Sequence, residues 1–183
     1  MGLMVHSLEE IPRNVERNYY IYLLDYGWDE PISNILKDNF DKIADSASKS
    51  NSVFIKGTVG SHVDSEILSW HHINGETGEE VLPSILITTM NPHSFRELEL
   101  DNVKEIKSKI ILIPLRKCCS TSTDVISLIK QIFQDINENK KLKDFTVYKE
   151  MNKGIGKKFL DGVILKPSFS GLGFDLKTFF KNK

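Results

Sequence analysis

Tyr19-Tyr20-Ile21-Tyr22-Leu23-Leu24, followed after three residues by Trp28-Asp29-Glu30-Pro31-Ile32, carries the clearest structural signal in the chain. The first run is aromatic, β-branched and almost continuously apolar. That pattern predicts a strand buried on both faces rather than an amphipathic one. The second run reads as a helix start. Asp29 suits the cap position, where a carboxylate accepts from the unpaired N–H groups of the first turn. Pro31 suits the first turn, where its missing N–H costs nothing. Ile32, Ile35, Leu36, Phe40, Ile43, Ala44 and Ala47 then recur at helical spacing and predict one apolar face over about four turns.

Outward from this unit the alternation continues. Ser52 to Gly57 reads as a second strand, so strand, helix and strand form a right-handed parallel crossover. Val63, Ile67, Leu68 and Trp70 suggest a short second helix, and a polar loop follows from His71 to Glu80. Val81 to Thr88 is a third strand, with Pro83 at its start, where a missing donor is tolerated. Ile110 to Leu115 is a fourth. Thr121 and Asp124 have capping-box spacing ahead of Val125, Leu128, Ile129, Ile132, Phe133 and Ile136, a second regular helical stripe.

The flanks read differently. Residues 1–17 are polar, contain Pro12 and are expected to be a loosely attached arm. Residues 18–140 make the α/β domain, and 141–183 a basic C-terminal extension. Thr146-Val147-Tyr148 and Val163-Ile164-Leu165 are short strand candidates there, so the extension is expected to be β-rich. From Val147 onward eight lysines face three acids, although the whole chain carries a net charge of −1.

That near-neutral balance removes any global field drawing the protein to nucleic acid or membrane. No apolar run approaches the ~18 residues of a membrane span, and the N-terminus has no basic region followed by an apolar stretch. At 183 residues the chain is long enough to hold its own core. The only cysteines are Cys118 and Cys119. Neighbours in sequence are poor disulfide partners, so a reducing, cytoplasmic location is expected.

The order β-α-β-α-β-β-α from Tyr19 to Ile136 resembles the thioredoxin fold. Trp28-Asp29-Glu30-Pro31-Ile32 is similar to that family's Trp-Cys-x-Pro-Cys turn. Leu82-Pro83 and the strand after it look like its cis-proline loop, and the strand Ile110–Ile113 runs into a capped last helix as the family's does. The resemblance covers about two thirds of the chain. It departs at the chemistry, because Asp29 and Ile32 replace both cysteines. Dithiol exchange needs a thiolate and a resolving thiol, so the resemblance implies a redox-inactive, non-catalytic module with no cofactor. What it leaves is a groove that takes extended polypeptide through backbone hydrogen bonds, with Trp28, Asp29, Pro31, Leu82 and Pro83 as its residues. The implied role is an accessory subunit of a larger intracellular complex with a protein partner. In the basic tail, Lys157, Lys158, Phe169 and Phe174 offer charge and apolar anchors for docking on that partner; nucleic acid is a lesser candidate for the same lysines.

Two alternatives stand beside this reading. His62, Glu66, His71 and His72, with Asp64 among them, form the densest cluster of metal-ligand types and would serve a metal-dependent hydrolase or nuclease. A solvated helix–loop junction is the plainer account of the same residues. Cys118 and Cys119, next to Arg116 and Lys117, would serve a redox sensor; burial at a strand end is the plainer account there.

Overall fold

A computed structural model describes residues 1–25, 31–71, 73, 81–98 and 109–154 of the chain. Its centre is one five-stranded sheet made of β1 (Gly2–Val5), β2 (Tyr20–Leu24), β3 (Val53–Gly57), β4 (Ser84–Thr88) and β5 (Ile110–Pro114). The spatial order is β1-β3-β2-β4-β5. β3 pairs in parallel with β1 on one side and β2 on the other. β4 runs antiparallel to both β2 and β5. The protein is therefore a mixed α/β fold.

Helices cover both faces, which explains why β2, β4 and β5 are buried at every residue. One face carries α1 (Pro31–Asp38), α2 (Phe40–Lys49), α6 (Ser122–Asn137) and α7 (Thr146–Gly154). Register puts Ile21 of β2 opposite Phe54 of β3, and the Phe54 ring packs against Phe40 of α2 with centroids 5.3 Å apart. Tyr19, on the same side, packs on Phe145 and donates its hydroxyl to Lys140 O at 2.6 Å. The other face carries a 3-10 turn (Leu8–Glu10), α3 (Val63–Trp70) and α4 (Pro92–Arg96). There Tyr20 donates to Val15 O at 2.7 Å, and Tyr22 meets the ring of His71 at 5.1 Å. A four-residue helix, α5 (Leu115–Cys118), links β5 to α6.

Sequence and structure part at three places. The helical face read as one element from Ile32 to Ala47 is two helices, α1 and α2, meeting at Asn39. The Asn39 amide Nδ2 donates to Ile35 O at 2.8 Å, beside its own backbone N–H on the same carbonyl. A side chain that competes for a helical carbonyl bends the ladder there. Second, Thr146-Val147-Tyr148, read as a strand, opens α7. Val147 and Met151 are both buried one turn apart, a helical spacing that two β-branched residues disguise. Between 141 and 154 the chain thus holds a 3-10 turn (Leu142–Asp144) and α7 rather than strands, and the rest of the expected β-rich extension, 155–183, lies outside the described residues.

Third, the stretch read as a loose arm contributes β1, and Leu8 and Ile11 enter the core. Its anchorage comes from α3. The Glu66 carboxylate accepts from the Ser7 hydroxyl at 3.0 Å and from the Leu8 N–H at 2.7 Å. Arg96 of α4 pairs with Glu9 at 2.8 Å while lying over the Trp70 ring. Gly2 is fixed by space rather than backbone angle. A Cβ there would lie 2.6 Å from the Ala44 Cβ and 3.0 Å from a Phe40 ring carbon. Gly2→Ala is therefore expected to cost about 1–3 kcal/mol by overpacking, read as a lower urea midpoint.

Candidate functional site

At one end of the sheet β2 ends and β4 starts, and the Asp25–Lys37 ion pair brings α1 to the same place. Leu24 pairs directly with Ser84, so the next residues outward, Asp25 and Pro83, lie side by side. The Leu82–Pro83 peptide is cis. The Pro83 carbonyl accepts from Leu115 N–H at 2.9 Å, which ties the start of β4 to the end of β5. Among the described residues no group hydrogen-bonds to the backbone N–H or C=O of Leu82. Pro31 is exposed, whereas Leu82 is 1% exposed and Pro83 is buried with it. Trp28 and Asp29 lie outside the described residues.

Beneath this end sit two carboxylates. Asp64, in the first turn of α3, accepts from the Asp25 N–H at 3.0 Å. The Asp25 carboxylate, 7% exposed, pairs with Lys37 of α1 at 2.9 Å. Burial pushes the Asp64 carboxyl up to about 6, with the Asp25 charge adding to the rise and the Asp25 N–H opposing it. In the sequence Asp64 falls within the histidine cluster, and neither Asp25 nor Lys37 stands out. The pairing rests on β2 and α3 crossing, which no spacing in the chain encodes.

The histidine cluster does not converge. His62 is exposed at the N-cap of α3 and makes no capping bond. Glu66 is committed to Ser7 and Leu8. His71 is fully buried, with Nδ1 2.7 Å from Ile67 O and its ring against Tyr22 and Phe95. It therefore faces the core while His62 faces solvent. His72 lies outside the described residues. Among the described residues no three His, Cys, Asp or Glu side chains are grouped to hold a metal ion.

Cys118 and Cys119 are free thiols at the end of α5. Burial pushes Cys118 up despite Lys117, and pushes Cys119 up to about 11, with Cys118 and Asp124 adding. Few thiolates exist at such positions near neutral pH, the opposite of a poised sensor. Lys157, Lys158, Phe169 and Phe174 lie outside the described residues. No described helix is long and apolar enough to cross a membrane.

What these features define is a mixed α/β domain whose candidate site is the sheet end around Leu24, Asp25, Pro83 and the start of α1. No family model, curated protein or solved structure matches the chain.

Proposed function

We propose that the domain is thioredoxin-like and redox-inactive, and that it acts as a non-catalytic protein-interaction module, an accessory subunit of a larger intracellular complex. The sheet order β1-β3-β2-β4-β5, with three parallel strands followed by two antiparallel ones, supports the thioredoxin-like reading. So does a cis proline at the head of β4, beside the end of β2. The absence of cysteine on either side of Glu30-Pro31, and the high pKa of both cysteines the chain does have, support a role without thiol chemistry.

The observation that carries a binding role is the Leu82 backbone, whose N–H and C=O have no hydrogen-bond partner among the described residues. A buried N–H and C=O without partners costs free energy, and an extended peptide laid beside Leu82 would supply both partners by strand addition. Leu82 is covered in the free chain, so docking includes a local opening at this sheet end. Trp28, Asp29, Pro31, Leu82 and Pro83 would then form the contact, and the basic tail a second anchor.

Hydrogen–deuterium exchange on the chain with and without its captured partner tests this. Protection is expected at residues 81–84 and along the start of α1. Protection confined to other surfaces, with 81–84 unchanged, would remove the groove from the reading.

A further inference from the structure

The sheet has an edge at β1, and hydrogen bonding fixes which groups it presents. Met1 O accepts from Phe54 N–H at 2.8 Å and Val5 O from Thr58 N–H at 2.9 Å. Residues 1, 3 and 5 therefore face β3, because the backbone groups of successive strand residues point to opposite edges. Gly2 and Met4 face outward. No described group bonds to their N–H and C=O.

The next outward donor, His6 N–H, is closed off by the Glu10 carboxylate at 3.1 Å. The open edge is thus one short segment with a defined end. Met4 is 55% exposed and Met1 38%, two of the four large apolar side chains exposed among the described residues.

We infer that β1 pairs antiparallel with β1 of a second copy of this chain, about a two-fold axis through Leu3. In that register Gly2 lies opposite Met4 of the second copy and Met4 opposite its Gly2. Both are hydrogen-bonded pairs, so all four outward groups on each edge find partners and none is left over. The interface is self-complementary, as a two-fold contact must be.

Charge follows the same operation. Arg17 lies at the Met1 end of the strand, its guanidinium 3.8 Å from the Met1 sulfur and 2.9 Å from Asn51 Oδ1. Glu10 lies at the other end, on His6. Antiparallel pairing brings the Arg17 end of one copy to the Glu10 end of the other, whereas parallel pairing would bring like ends together. A charged or bulged edge would block such pairing; Gly2 to Met4 is neither.

Sedimentation of the full-length chain over a concentration series from roughly 1 to several hundred µM is the first test. A monomer–dimer equilibrium is expected. Met4→Pro removes one outward donor per copy and no inward bond, so it should raise the dimer Kd about tenfold or more with an unchanged circular dichroism spectrum. A chain that stays monomeric throughout, or a dimer indifferent to Met4→Pro, overturns the inference.

A second variant holds if Met4→Pro misfolds. Leu3→Cys, in a background carrying Cys118→Ala and Cys119→Ala, would place two thiols across the axis at a non-hydrogen-bonded pair. The Cα separation there is about 4.5 Å, within disulfide reach. Rapid crosslinking on mild oxidation supports the register, and crosslinking no faster than at exposed Val59→Cys overturns it.

Discussion

Asp135→Ala is expected to lower stability by about 3 kcal/mol, seen as a fall in melting temperature of roughly 10 °C for a chain of this size. Asp135 is fully buried on α6, yet it holds together elements that meet far from its own turn. Its carboxylate accepts from the Thr146 N–H at 2.6 Å and from the Thr146 hydroxyl at 3.2 Å. It also pairs with Lys140 at 2.7 Å, and this contact leads Glu138 in holding the Lys140 ammonium above its usual range. Removing the carboxylate leaves the first N–H of α7 uncapped inside the protein and frees the loop 138–145. Asp135→Asn keeps an acceptor and loses the charge, so it should cost about half as much. Equal melting temperatures for wild type and Asp135→Ala would show that α7 is held by Val147 and Met151 packing alone.

Asp64→Asn is expected to act in the opposite direction, and only above mildly acidic pH. The folded-state pKa of Asp64 is raised from 3.8 to about 6. Between those values the native state binds more protons than the unfolded chain. Stability contributed by this site is therefore highest below the window and falls as pH rises through it. At neutral pH the ionised carboxylate is a standing cost of about 2 kcal/mol, allowing for its partial exposure to solvent. Asparagine keeps an oxygen for the Asp25 N–H and carries no charge. Urea unfolding should find the variant more stable than wild type by about 2 kcal/mol at pH 7.5, with the gap closing near pH 4. A gap that is the same at both pH values would mean that the carboxylate is not the titrating group.

Most of the sheet was legible because its strands advertise themselves. Tyr20–Leu24, Ser84–Thr88 and Ile110–Pro114 are unbroken apolar runs, and only burial on both faces asks for that. Thr121 and Asp124 were legible as a reciprocal cap because both partners lie within four residues, and the structure has both bonds. Longer-range features left no local trace. Gly2–Val5 is only four residues long and opens on a glycine, so nothing in it announced a strand; its partner lies some fifty residues on. The first turn of α7 is capped by Asp135 of another helix rather than by its own flank. Asn39 looked like one polar residue on a helix face until its amide was seen on Ile35 O. At the candidate site, Pro31 and Pro83 carried a sequence signal. The Asp25–Lys37 and Asp25–Asp64 contacts did not, since each joins separate elements.

β1 also sets a schedule. It precedes the other four strands of this sheet in the chain, but its neighbour in the sheet is β3, whose register with it runs from Gly2 opposite Phe54 to Val5 opposite Gly57. Between the two, β2 and the α1–α2 pair are made and can begin to associate locally. Parallel pairing at that separation gains nothing until the long intervening loop is closed. Of this sheet's strands, the one made before the others is thus the one that waits. During that wait Gly2 to Val5 has neither inner nor outer partner, and the fastening of Ser7 and Leu8 by Glu66 cannot form until α3 exists. A nascent chain stalled before residue 57 would expose this segment, and limited proteolysis of stalled chains would find its cleavage there.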